Sequence, residues 1–142
     1  MGEDRLQQLG EIKASEIMVK DPFFITPDEK ISKTELLMLR KKIGGLPVVK
    51  DQKSKQLIGI ITQRDIRLAR FAMSLESPNT TVKDLMTSEP FVVKSDEIIK
   101  NILRIMFKNK IQRLPVVDDN RQLIGFIVQT QILKKLYEFM KI

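Results

Sequence analysis

The chain has 142 residues, 42% hydrophobic and 30% charged, with 25 Lys and Arg against 18 Asp and Glu for a formal charge of +7. This is the composition of a folded domain rather than a disordered one. The absence of Cys and His excludes disulfides, thiolate nucleophiles and Cys-ligated metals, Ser-His-Asp triads and HExxH zinc sites. It also removes the side chain best suited to proton transfer near neutral pH. The expectation is a binding or regulatory module rather than an enzyme, with no catalytic residue, no metal and no resident cofactor.

Residues 1–13 are polar and read as an N-terminal arm, either flexible or a partner-facing helix. They lack the apolar core of a signal peptide. The longest apolar runs, Leu36 to Leu39 and Leu57 to Ile61, fall far short of the ~20 residues of a spanning helix. No membrane association is expected, and a cytoplasmic location is.

From residue 14 the chain repeats itself, the pattern to be sought before any other. Pairing residues 15–49 with 83–117, at an offset of 68, gives 13 identities in 35; pairing 56–70 with 122–136, at 66, gives 7 in 15. The boundaries read as a first repeat over 14–73, a linker over 74–81 containing Ser77-Pro78-Asn79, and a second repeat over 82–142.

Within each copy an extended segment comes first, Phe23-Phe24-Ile25 or Phe91-Val92-Val93. A helix follows. Thr26, Pro27 and Glu29 match the N-cap, N1 and N3 positions of a capping box, and Gly44 suits the C′ position after a helix ending near Lys42. Ser95 is the corresponding cap in copy two, where the helix reaches about Lys110. Two β-rich runs then flank a polar turn, Leu46–Val49 with Leu57–Ile61, and Leu114–Val117 with Leu123–Val128, each a hairpin. The last helix runs from about Gln63 to Met73, and from about Gln129 to Lys141. The second version places Ile132, Leu133, Leu136, Tyr137 and Met140 on one side.

The expected fold class is α+β (α/β): two β-α-β-β-α repeats packed sheet to sheet about a pseudo-two-fold axis. A single unit of ~60 residues buries too little surface to be comfortable alone.

This grammar resembles a tandem pair of CBS domains, or Bateman module, over about residues 14–138, and the expectation is a stand-alone module. The marks are Ile17-Met18 and Leu85-Met86, Pro22-Phe23 and Pro90-Phe91, Leu-Pro-Val-Val at 46–49 and 114–117, and Leu-Ile-Gly at 57–59 and 123–125. Copy one adds Gly59-Ile60-Ile61-Thr62-Gln63-Arg64-Asp65, similar to the family's nucleotide motif. The resemblance implies regulatory binding of AMP, ADP, ATP or S-adenosylmethionine in one cleft between the repeats, with the signal passed in trans to an effector protein. It also implies a homodimer formed through the helices.

On the same resemblance Asp65 would hold the ribose hydroxyls and Thr62 would meet a phosphate, at a helix N-terminus that favours anions. Ile60 would line the base and Arg64 is a second phosphate candidate. Met86, Thr87, Val92 and Ile111, with Gln112 beside them, would form the opposite wall. Arg113 would fork onto the phosphates, as a basic residue does in the similar stretch of the γ subunits of AMP-activated protein kinases. Thr62 and Asp65 also have a ligand-free reading as N-cap and N3 of the next helix, and the two roles can coexist. The alternative reading of Arg113 is a surface arginine. Copy two has Val128 and Gln131 where copy one has Thr62 and Asp65, and the wall facing that second cleft has Gly44 and Gly45 where copy two has Gln112 and Arg113. One good site per chain is therefore expected. The rival functions are a nucleic-acid-binding protein, weakened by the absence of a concentrated basic stripe and by only eight aromatics, and a structural interaction module with no nucleotide ligand.

Overall fold

A computed structural model describes residues 2–73 and 78–140. The elements in chain order are α1 (Gly2–Gly10), α2 (Ala14–Ile17), β1 (Val19–Lys20), α3 (Ile31–Lys41), β2 (Gly45–Val49), β3 (Leu57–Thr62) and α4 (Gln63–Met73). Then come α5 (Val82–Leu85), β4 (Thr87–Ser88), α6 (Ile99–Asn109), β5 (Arg113–Val117), β6 (Leu123–Val128) and α7 (Gln129–Met140). The fold is α+β, with two three-stranded antiparallel sheets ordered β1-β6-β5 and β2-β3-β4.

The chain forms two compact units that cut across the repeats: residues up to Pro22 join those from Phe91 onward, while Phe23–Pro90 form the other unit. The cause lies in β1 and β4. Each precedes the helix of its own repeat but pairs with the last strand of the other repeat: Val19 with Phe126 and Lys20 with Gly125, Thr87 with Ile60 and Ser88 with Gly59. The Phe23–Ile25 and Phe91–Val93 segments expected as strands make only single parallel bridges, Ile25 to Val48 and Val93 to Val116.

The central hairpins form as expected, because two β-branched runs flank a polar turn. Helices α3 and α6 turn the same face inward, Ile31, Thr34 and Met38 in one and Ile99, Ile102 and Met106 in the other, the i, i+3, i+7 spacing of a buried helix stripe. Thr34 hides its hydroxyl by donating to the Lys30 carbonyl at 3.0 Å.

Three expected helix ends move. Helix α3 begins at Ile31, not at Pro27, because the residues before it are committed elsewhere. Val82 N–H donates to Glu29 O, Ile31 N–H donates to Thr80 O, and Lys30 bridges Thr81. These pairings hold Lys30 extended at ψ 145, so the Thr26 capping box never forms. Ser95 is displaced as cap for the same reason. Ala14 N–H donates to Glu97 O and Ile99 N–H to Ile12 O, and α6 begins at Ile99. At the far end the left-handed C-cap is Lys42, φ 55, rather than Gly44. Lys110 repeats it at φ 55.

The α7 stripe also divides. Ile132 is buried and Leu136 packs on the core, whereas Leu133, Tyr137 and Met140 are exposed. Lys141 and residues 74–77 of the expected linker lie outside the described residues. Helix α1 docks on α6 and α7, burying Leu9, with Arg5 donating to the Phe139 carbonyl at 2.7 Å. Among the described residues no helix is long and apolar enough to cross a membrane.

Candidate functional site

Strand β3 alternates between a buried face, Leu57, Gly59 and Ile61, and a half-buried face, Ile58, Ile60 and Thr62, as side-chain period two requires. Ile60 and Thr87 are direct cross-strand partners, so their side chains share that second face with Thr62. Arg64 and Asp65 follow in the first turn of α4. Arg64 is exposed and Asp65 half-buried. One corner of this unit thus collects an isoleucine, two threonine hydroxyls, a carboxylate and a guanidinium.

The junction is held by a reciprocal cap. Thr62 N–H and Oγ–H both donate to Asp65 Oδ2, at 2.8 and 3.0 Å, and Asp65 N–H donates to Thr62 Oγ1 at 3.2 Å. This is the ligand-free role foreseen for the pair, and it leaves Asp65 Oδ1 to accept other bonds. In the other unit Gln131 keeps part of the cap, Val128 N–H donating to its Oε1 at 2.9 Å. There Val19 and Phe126 occupy the positions of Thr87 and Ile60, and Phe126 is buried. That corner has lost both hydroxyls and the negative charge.

Six of the ten candidate residues, Ile60, Thr62, Arg64, Asp65, Met86 and Thr87, lie in one unit. Val92, Ile111, Gln112 and Arg113 lie in the other. Thr87 therefore shares a sheet with Thr62 rather than facing it from an opposite wall, and Met86, the C-cap of α5, immediately precedes that strand. Arg113 opens β5 opposite Val128 and is half-buried. Val92 and Ile111 are half-buried and Gln112 is exposed. Met86 faces the core: its thioether packs on the cluster of Ile31, Met38, Leu46, Val48, Ile61, Ile66 and Val82 and lies against Gly59.

The sequence reading missed the role of that glycine. A Cβ at Gly59 would come within 2.8 Å of Met86 Sδ and 2.9 Å of the Thr87 carbonyl oxygen. Its only signal was that Leu-Ile-Gly occurs in both copies. Also unforeseen is an open groove of about 440 Å³ lined by Ser32, Glu35, Leu36, Leu39, Gln63 and Arg67, with Glu35 ion-paired to Arg70 at its side. Among the described residues no cluster of three acidic side chains could hold a metal ion.

A family model for the CBS domain matches residues 14–71 and again 82–138. The chain is a tandem pair of CBS domains. The pair is 35% identical over 134 residues to an inosine-5′-monophosphate dehydrogenase of Methanocaldococcus jannaschii, covering 94% of this chain and 25% of that relative. The Bacillus subtilis enzyme is 34% identical over 139 residues, 96% of this chain and 27% of the relative. The CBS pair thus spans about a quarter of the length of these curated relatives.

Among solved structures, the CBS domain pair of protein MJ0100, in complex with 5-methylthioadenosine and S-adenosyl-L-methionine, superposes with TM-score 0.78 at 28% identity, covering 89% of this chain and 97% of that one. CBSX2 in complex with AMP, at 24% identity and TM-score 0.78 over 91% of this chain and 98% of that one, has the same fold.

Proposed function

We propose that this CBS pair is a regulatory module that binds an adenosine nucleotide (AMP, ADP or ATP) or S-adenosylmethionine at the β3–α4 corner. The observation that carries the reading is the Thr62–Asp65 cap at the end of the strand in which half-buried Ile60 pairs with Thr87; the matching corner of the other unit lacks both threonines and the carboxylate. The adenosyl ligands bound by the MJ0100 pair support the ligand class. Asp65 uses its free oxygen for the ribose hydroxyls, since a carboxylate can accept from both. Thr62 and the first N–H groups of α4 receive a phosphate or carboxylate, and Arg64 adds charge beside them. Roles for Val92, Ile111, Gln112 and Arg113 rest on the family resemblance alone, and Arg113→Ala tests the phosphate assignment.

The module performs no reaction of its own in this reading. Its output passes in trans to an effector protein, and it assembles as a homodimer through exposed apolar helix positions such as Leu39 and Phe71, or Phe107 and Tyr137. Calorimetric titration with AMP, ATP and S-adenosylmethionine, repeated on Asp65→Ala, tests the ligand. The expected result is one site per chain that Asp65→Ala weakens by about tenfold or more. No binding by any of the three, or two equal sites, overturns it.

A further inference from the structure

Strand β4 is the least secured part of the candidate site. It has two residues, Thr87 and Ser88, and one strand neighbour, β3. Short, peripheral pairings of this kind open with little free energy. Two features hold it. One is the capped turn α5 before it, where Thr81 and Asp84 cap each other. The other is Met86, whose side chain enters the core beside Gly59. Copy two's counterpart repeats the device in the other unit. Met18 seats against Gly125 and anchors β1 on β6. In both places the sulfur occupies the space that a side chain on the glycine would need.

We propose that Met86 is a redox-sensitive seat for β4. Hydrogen peroxide oxidises its thioether to the sulfoxide, which releases β4 from β3 and withdraws Thr87 from the ligand corner. This rests on the adenosyl-site reading for its consequence, but not for the release of the strand. The step balances. The peroxide O–O bond breaks, one oxygen forms the S–O bond, the sulfur loses two electrons and the peroxide leaves as water.

Three observations support it. Met86 is half-buried, as is Met18, whereas Met38 and Met106 are 1% and 3% exposed, so a small oxidant has a shorter path to Met86 than to those two. The sulfur fills the space in which a Cβ on Gly59 would lie, 2.8 Å from that position, so an added oxygen must share the same confined space. The product is polar where its neighbours are Ile31, Ile61 and Val82, and an unpartnered polar group in an apolar site is costly. Sulfoxide reductases reverse the change, so the seat can be restored.

The test is graded peroxide treatment of the whole chain. Peptide mass spectrometry locates the sulfoxides and amide hydrogen exchange follows residues 58–60 and 86–89. Met140, 70% exposed, should oxidise before Met86 and Met18, both half-buried. Protection of β3 and β4 should fall in step with Met86 sulfoxide. AMP affinity should fall about tenfold, and reductase treatment should restore both. In Met86→Leu, peroxide should leave β4 protection and AMP affinity where they stood.

Complete Met86 oxidation with β4 protection unchanged overturns the proposal. So does oxidation of Met86 only when the whole chain unfolds, or an equal response in Met86→Leu. If untreated protein binds no AMP, the functional reading fails while β4 protection still decides the seat. Should Met86→Leu fold poorly, the wild-type time course and its reversal by reductase decide alone.

Discussion

Asp65 Oδ2 accepts two bonds from Thr62, at 2.8 Å from its N–H and 3.0 Å from its hydroxyl. The carboxylate is therefore already oriented before any ligand arrives, and a ligand meets Oδ1 without reorganising the helix start. The same interaction means that removing Asp65 damages both the cap and the site.

Asp65→Asn and Asp65→Ala separate those two effects. Asn still accepts from the Thr62 N–H, so its melting temperature should stay close to wild type. Ala should lose about 1 kcal/mol of stability. Both should lose adenosyl affinity by about tenfold or more. A thermal melt beside a calorimetric titration checks this. Retained affinity in Asp65→Asn would mean that the charge is not what the ligand reads.

Gly59 and Gly125 should respond differently to alanine. At Gly59 the new methyl meets both Met86 and the Thr87 backbone oxygen. At Gly125 the three nearest atoms all belong to the Met18 side chain. Each substitution should cost about 1–3 kcal/mol through overpacking. Adding Met18→Ala to Gly125→Ala should cost less than the sum of the single changes, whereas Met86→Ala should not relieve Gly59→Ala. Urea unfolding of the two double-mutant cycles reads the difference.

Lys42 and Lys110 hold left-handed conformations, φ 55 in each. A side chain is disfavoured there, and glycine is the ordinary residue at such a helix end. Lys42→Gly and Lys110→Gly should each raise stability by roughly 0.5–1 kcal/mol, seen as a higher urea midpoint at unchanged slope.

The two bonds from Thr81 hold the Asp84 carboxyl below its ordinary value of 3.8. A depressed pKa gives stability that is present above the unfolded value and lost as pH falls through the folded one. Protection of the β4 amides, measured against the intrinsic exchange rate at each pH, should therefore fall only below about pH 4. Asp84→Asn should flatten that acid limb. An unaltered limb in the variant would assign the loss to other carboxylates.

The sequence alone determined the duplication, both central hairpins, the Thr62–Asp65 cap and the loss of that pair's polarity in copy two. Each is written in neighbouring residues. Short apolar, Val- and Ile-bearing runs either side of a polar turn specify a hairpin locally, and a cap joins residues three apart. The starts of α3 and α6 were not legible. Thr26-Pro27 and Ser95 are sound local signals, overridden by bonds from Thr80 to Val82 and from Ile12 to Ser15.

The placement of β1 and β4 was decided by tertiary structure. Two residues carry no periodicity, and Lys20 finds its partner at Gly125, Ser88 at Gly59. That pairing transfers Thr87 into the sheet of Thr62 and makes a glycine and a methionine share one space. The candidate residues could be named from the sequence because their chemistry is in the side chains. Which of them stand together depended on long-range strand pairing, whose stabilisation comes from contacts that no local stretch contains.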